Sequence, residues 1–283
     1  MIEPFVAGEF YEKDFAKLTK QIEGLFKHKL GPGALPTSRG NKTIKGALVP
    51  HAGYAYSGMA AAWAYKEIAE SKMPSCFVIL APDHNGRHAF TTTTAEDWVI
   101  PSGIIKTDKG FVDKLIENID FIKTDNIQEH SIEVQLPLLQ FACRDKLKEL
   151  KIVPIVVPTK QDYEQLGESI AKIDPNACII ISSDLTHFGH AYGYRPFKYN
   201  IQKSIIAQDN KAISYINNLD SKGFLNFTKR TKATICGAFP IAVGLEALKY
   251  LKAKHGRLLS YYSSGDLSGD YEHTVSYSSI LFK

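Results

Sequence analysis

Three short apolar runs in this 283-residue chain each deliver a histidine just past their end. The first closes on Pro50-His51-Ala52-Gly53-Tyr54, the second on Ala81-Pro82-Asp83-His84-Asn85, and the third on Ser182-Ser183-Asp184-Leu185-Thr186-His187. Imidazole titrates near neutral pH and offers a lone pair to metals, so histidine serves both as ligand and as proton carrier. One histidine after a strand is ordinarily a packing or surface residue; three at equivalent points indicate a shared site. Two further positions join them. His130 sits in Gln128-Glu129-His130-Ser131-Ile132-Glu133, at a loop-to-helix junction, and Cys236 in Thr234-Ile235-Cys236-Gly237-Ala238-Phe239-Pro240. Proline is tolerated only in the first turn of a helix, so Pro240 places Cys236 near a helix N-terminus. The dipole and free N–H groups there favour a thiolate. A thiolate beside two imidazoles suits a borderline or soft metal. The residues leave plainer roles open: Cys236 as an inert buried thiol, Asp184 as a helix cap, and Gly53 and Gly58 as an anion-binding turn or merely a tight strand-to-helix turn. His88, His190 and His273 either line the same cleft or satisfy loop backbone.

To converge, these groups need the ends of separate strands aligned at one edge. Apolar runs at 46–50, 76–81, 152–157 and 177–182 read as buried strands. Helical periodicity lies between them, at about 58–70, 108–118, 131–148 and 161–172, and before them at 11–29. Further helices are predicted at about 197–217, 220–228 and 237–253, and β-type runs at 258–263 and 275–282 close the chain. Alternating strands and helices imply βαβ units and a mostly parallel sheet flanked by helices. In such sheets ligands bind at the carboxyl edge of the strands. No composition shift marks a boundary, so residues 1–283 read as a single α/β domain.

Composition removes several function classes. Charged residues make up 23% and the net charge is +4. The arginines are scattered, and the densest basic run, Lys229-Arg230-Thr231-Lys232, reads as a solvated loop, so no nucleic-acid partner is expected. Four cysteines, Cys76, Cys143, Cys178 and Cys236, form no CxxC pair. Cys76 and Cys178 sit in apolar runs, as small core residues do, which points to a reducing compartment. There is no signal-peptide pattern and no apolar run approaching the ~20 residues of a membrane helix. A cytoplasmic protein without a membrane partner is expected.

Taken together, Pro50-His51-Ala52-Gly53-Tyr54 with Tyr56-Ser57-Gly58, then Pro82-Asp83-His84, Glu129-His130-Ser131-Ile132-Glu133, Ser182-Ser183-Asp184-Leu185-Thr186-His187-Phe188-Gly189 and Cys236-Gly237 resemble the Memo family. The likeness runs from Phe5-Val6-Ala7-Gly8-Glu9-Phe10-Tyr11 to the last strand. Bacterial and archaeal members are known as the B protein of the AMMECR1–Memo–radical-SAM trio, which implies a functional link to AMMECR1-like and radical-SAM proteins. The family is similar in fold to the class III extradiol (catechol ring-cleaving) dioxygenases, where two histidines and a glutamate hold non-haem Fe(II) and further histidines act as acid–base groups. The resemblance assigns His51 and His84 to the two histidine ligand positions and Cys236 to the carboxylate position. It assigns His130 and His187 to the acid–base positions, with Asp184 lining the cleft. The cysteine is a departure: a carboxylate triad leaves Fe(II) open to O₂, whereas a thiolate moves preference toward copper or zinc and invites its own oxidation.

The expected function is therefore a metal-binding protein of dioxygenase ancestry, a redox or O₂-activating enzyme holding iron or copper, with zinc admissible, and acting on a small molecule. The rival is a non-catalytic scaffold that holds a peptide, phosphorylated or not, in the ancestral cleft. Tyr54, Tyr56, Tyr192 and Tyr194 suit either. A metal-dependent hydrolase built on Asp83-His84 and Asp184 with His187 is a third reading, but such sites use two metals and more carboxylates.

Overall fold

A computed structural model describes residues 1–159 and 162–283. Helix α1 (Phe15–Lys27) precedes strand β1 (Gly46–Val49), which runs directly into α2 (Tyr54–Ala69) and then β2 (Phe77–Pro82). Short strands follow, β3 (Thr91–Thr93), β4 (Trp98–Ile100) and β5 (Gly103–Thr107), then α3 (Lys109–Asn118), β6 (Ile122–Thr124), α4 (His130–Glu133) and α5 (Gln135–Ala142). Next come β7 (Lys151–Val157), α6 (Tyr163–Ile173), β8 (Cys178–Ser182) and the two-residue β9 (His187–Phe188). Three helices, α7 (Ile201–Asn217), α8 (Ser221–Thr231) and α9 (Ala238–Tyr250), lead to β10 (Gly256–Ser263), α10 (Ser264–Ser268) and β11 (Thr274–Phe282).

These strands make one sheet, in the order β10-β11-β1-β8-β2-β7-β3-β6, within an α/β fold. Its centre is parallel: β1 pairs with β8, β8 with β2, and β2 with β7. The flanks turn antiparallel, at β1 with β11 and at β7 with β3. Buried on both faces, the central strands are continuous apolar runs. Alternate residues feed two cores: Phe77, Ile79 and Ala81 pack on the side of α1, α2 and α5, and Val78 and Leu80 on the side of α3, α6 and α9. Among the described residues no helix is long and apolar enough to cross a membrane.

The structure redraws several predicted elements. The helix expected at 58–70 begins at Tyr54, capped by Gly53 without a side-chain bond. Gly58 lies inside it, where an added Cβ would sit 2.6 Å from Leu25 Cδ1; it is a packing position of α2 against α1. The helix expected at 131–148 is two, α4 and α5, broken at Val134. Pro137 explains the break, since a proline ring clashes with the carbonyl four residues earlier, here that of Glu133. Position 161, the predicted start of a helix, lies outside the described residues; α6 is seen from Tyr163.

Candidate metal centre

Because β1, β8 and β2 are adjacent and parallel, their carboxyl ends lie side by side. His51 follows β1, Ser183 and Asp184 follow β8, and His84 follows β2. Cys236 arrives from the helical side. The chain before α9 approaches β8 so closely that a Cβ on Gly237 would meet Ser183 Cβ at 2.5 Å, so the glycine of Cys236-Gly237 is a steric requirement. Gly237 N–H donates to Ser183 Oγ at 3.0 Å, and Asp184 N–H points at Cys236 Sγ at 3.3 Å.

His51, His84 and Cys236 each place one ligand atom within 4.8 Å of the others. Cys236 Sγ stands 3.1 Å from His51 Nε2, and the rings of His51 and His84 are 5.0 Å apart and perpendicular. The supporting hydrogen bonds decide which nitrogens are free. Ser182 Oγ spends its proton on Ser131 O at 2.7 Å, so it accepts from His51 Nδ1–H at 3.0 Å. Gln135 Nε2 donates to the same oxygen at 3.0 Å. His84 Nδ1–H donates to Glu129 Oε1 at 2.8 Å. In both imidazoles Nδ1 is committed to the protein, so Nε2 is the nitrogen left for a metal, the arrangement in which metal-binding histidines are found. Two such imidazole nitrogens and a sulfur are a donor set that fits a borderline or soft transition metal.

Two other triplets meet the same distance limit, His84 with Glu129 and His130, and Asp184 with His187 and Cys236. Their carboxylates are already engaged. Glu129 accepts from His84 N–H at 3.0 Å and from the Ser131 amide and hydroxyl at 3.1 and 2.7 Å, besides the His84 ring. Asp184 Oδ1 accepts the His51 amide at 2.9 Å. No helix begins at Asp184; the helix-cap role is corrected to a tie between the ends of β1 and β8.

The proposed acid–base groups border this cluster. The His130 ring lies 4.4 Å from that of His84 and 5.5 Å from that of His51. His187 Nδ1 faces two carbonyls, Leu185 O at 2.9 Å and Thr234 O at 3.0 Å. Carbonyls only accept, so Nδ1 carries the proton and Nε2 is the free basic nitrogen. Tyr192 stands edge-on to His187 at 5.1 Å. Tyr54 and Tyr194 are structural instead: their hydroxyls bind Val134 O and Gln208 Oε1. His190 pairs with Arg195 at the surface, and His273 is exposed.

Burial dominates the protonation of the site. It holds His51 well below the usual imidazole range, with the neighbouring His84, His130 and His187 adding repulsion. His130 is lowered to about 4 by burial and by His84, against the pull of Glu129. Burial works against the charge of Glu129, but the hydrogen bond and charge of His84 prevail and bring it down to about 2. The expected thiolate at Cys236 is corrected. Burial pushes the thiol far above its ordinary value and the Asp184 charge adds to this, outweighing the amide and hydroxyl donors. Cys236 also precedes the N-cap Gly237, outside the first turn where the dipole acts. With His51 neutral, the metal-free pair is a thiol donating to Nε2. Glu129, Ser182 and Gln135 were assigned no role from sequence; only the carboxylate opening a helix at Glu129, which caps α4, was a readable sign.

A sequence profile of the Memo-like protein family matches residues 3–281. This chain belongs to the Memo family. Among Memo relatives, a MEMO1 family protein of Methanopyrus kandleri is 38% identical over 291 residues, covering 99% of this chain and 98% of that one. A MEMO1 family protein of Sulfurisphaera tokodaii is 38% identical over 293 residues with the same coverage. The fold extends further: an uncharacterised protein of Escherichia coli K12, known from a crystal structure, superposes with a TM-score of 0.56 over 85% of this chain and 100% of that one at 12% identity.

Proposed function

We propose that the protein is a metal-dependent oxidoreductase that holds iron or copper, with zinc as the third choice, on His51 Nε2, His84 Nε2 and Cys236 Sγ. One observation carries this reading: hydrogen bonds to Ser182 and Glu129 hold both imidazoles by Nδ1 and leave Nε2 of each for a metal shared with Cys236. Iron or copper, when bound, would supply one-electron chemistry and activation of an oxygen ligand, and zinc only the latter. The chain's own groups do the rest. Cys236 gives up its proton as the ligand set forms. Asp184 keeps the His51 backbone in place. His187, with Nδ1 committed to Leu185 and Thr234, accepts or returns a proton at Nε2. His130, neutral at pH 7, offers a second proton acceptor beside His84. The substrate is a small molecule in the cleft, and AMMECR1-like and radical-SAM proteins are the proposed functional associates.

The test is anaerobic purification, elemental analysis and O₂ uptake with added reductant. Stoichiometric iron or copper with uptake that His187→Ala abolishes supports the oxidoreductase. Stoichiometric metal without any uptake favours the peptide-holding scaffold. Protein that retains no metal and takes up none on titration contradicts the reading.

A further inference from the structure

Tyr192 takes no part in the metal reading, yet it stands against His187, the two rings perpendicular and 5.1 Å apart. His187 Nδ1 is turned to Leu185 O and Thr234 O, so Nε2 is the nitrogen that a reacting group must reach. Tyr192 is 42% exposed; its ring borders solvent and is no part of the core. Burial raises its phenol and the Asp184 charge adds to this, so the hydroxyl stays neutral and the ring lies within reach of both Asp184 and His187. Tyrosines on surface turns are ordinarily mobile. This one is held. It closes a short 3-10 turn, His190–Tyr192, whose base is a reciprocal pair: Gly189 N–H donates to Tyr194 O at 2.9 Å and Tyr194 N–H to Gly189 O at 3.3 Å. The Tyr194 hydroxyl lies 2.8 Å from Gln208 Oε1 and 3.1 Å from Thr231 O. Gln208 Nε2 in turn donates to Thr186 Oγ1 at 2.9 Å, and Thr186 is the residue before His187. The buried Asp209 accepts the Thr186 amide at 3.3 Å and its hydroxyl at 2.5 Å. One side chain of α7, Gln208, thus ties the turn that carries Tyr192 to the strand end that carries His187. Connected polar networks of this kind rigidify what they join.

We propose that Tyr192 is the gate to His187, its ring controlling which groups reach Nε2, and that Gln208 is the positioning residue that sets the gap between the two rings. Neither a packing role nor a free surface position accounts for Tyr192: the ring is too exposed for the first and its turn too firmly tied for the second. Functional side chains are characteristically placed on loops that a rigid scaffold holds. A small or flat group can pass the phenol to the imidazole, and a bulky one is turned away until the turn moves. The gate rests on the acid–base role proposed for His187; access to the ring can be measured without that role, without a metal and without a substrate.

The test is the rate at which diethyl pyrocarbonate acylates each histidine of the metal-free protein, read by peptide mass mapping and divided by the rate at His255, which is exposed. The reagent attacks an unprotonated ring nitrogen, which in His187 is Nε2. Tyr192→Ala should speed the labelling of His187 about tenfold, as expected where a covering group must otherwise open first. Tyr192→Phe keeps the ring and should leave the rate unchanged. Gln208→Leu and Tyr194→Phe cut the tie but keep Tyr192, and should each speed it about threefold. His51 is buried and should stay unlabelled in every variant, which shows that the fold is intact. Wild-type His187 that reacts as fast as His255, or a rate indifferent to Tyr192→Ala, overturns the gate. Equal acceleration at His51 and His187 is loosening of the whole site and overturns it too. Acceleration by Tyr192→Ala with none by Gln208→Leu or Tyr194→Phe keeps the gate and overturns the role of Gln208. Metal titration of the same proteins separates the two readings: labelling that depends on Tyr192 in a protein that takes up no metal ends the metal site and leaves the gate.

Discussion

Glu129 and Glu133 stand one turn apart at the two ends of α4, and both are buried. Their surroundings send them in opposite directions. Glu129 is surrounded by the imidazoles of His84 and His130, 2.8 and 3.2 Å away, and by Ser131, and is lowered to about 2. Glu133 meets only neutral donors, the amides of Phe5 and Val6 at 3.0 and 3.2 Å and the Tyr11 hydroxyl at 2.6 Å, and burial raises it. One carboxylate stays ionised beside the imidazoles and holds the His84 ring by Nδ1. The other pins the N-terminal segment to the core, and with it Phe10, whose ring packs 5.0 Å from His130. The same residue type in the same short motif thus holds the histidine cluster in one place and the N-terminal segment in the other. What separates the two is the charge of the partner.

That contrast can be broken by substitution. Glu133→Ala leaves three donors, two of them buried, without an acceptor, and we expect a stability loss of roughly 3 kcal/mol by denaturant unfolding, with metal affinity within about threefold of wild type in the folded protein. Glu129→Gln should do the reverse: metal affinity falls by ~10-fold or more, while stability changes by only about 1 kcal/mol. Equal effects of the two on metal binding would erase the distinction. The Cys236 proton gives the next effect. Its pKa is raised in the metal-free protein, so the thiol is protonated at neutral pH and metal must displace that proton. Affinity should therefore rise with pH, by about tenfold per unit, with roughly one proton released per metal. Calorimetry in buffers of different ionisation enthalpy reads the proton count, and a count near zero would mean that the thiolate is preformed. The smallest effect belongs to His187→Ala, which should leave metal content unchanged because its fixed nitrogen bonds only backbone carbonyls; loss of metal comparable to that of His51→Ala would make it a ligand.

Much of the frame of the site was legible. β1, β2, β7 and β8 are buried on both faces, so each is a continuous apolar run, and the residues just past three of them are the ones the sheet brings together. The short strands β3 to β6 were not read, because three polar threonines at 91–93 or a three-residue segment at 98–100 carry no periodicity of their own. The start of α2 carries no local signal because a glycine caps it rather than Ser, Thr or Asp, whereas Pro137 marks the division of α4 from α5 in the sequence itself. The supporting shell was out of reach for another reason. Glu129 and His84 lie 45 residues apart, and Ser182 and His51 lie 131 apart; pairing at that separation is written in the sheet order, not in local pattern. The protonated Cys236 thiol is hidden for the same reason: a helix start is visible in sequence, but the burial that outweighs it is not.

The central claim is that one sulfur and two imidazole nitrogens form a single metal site, and the direct measurement is a metal titration of wild type, Cys236→Ser and Cys236→Glu, with thermal melts alongside. Cys236→Ser should remain folded, since it is nearly isosteric and leaves little cavity, and the melts show whether the larger glutamate is accommodated. Cys236→Ser should bind copper and zinc far more weakly, because an alcohol stays protonated and is a poor ligand, and Cys236→Glu should shift preference toward Fe(II) by supplying a hard carboxylate. Affinities unchanged across the three proteins would show that the sulfur is only structural and would contradict the account.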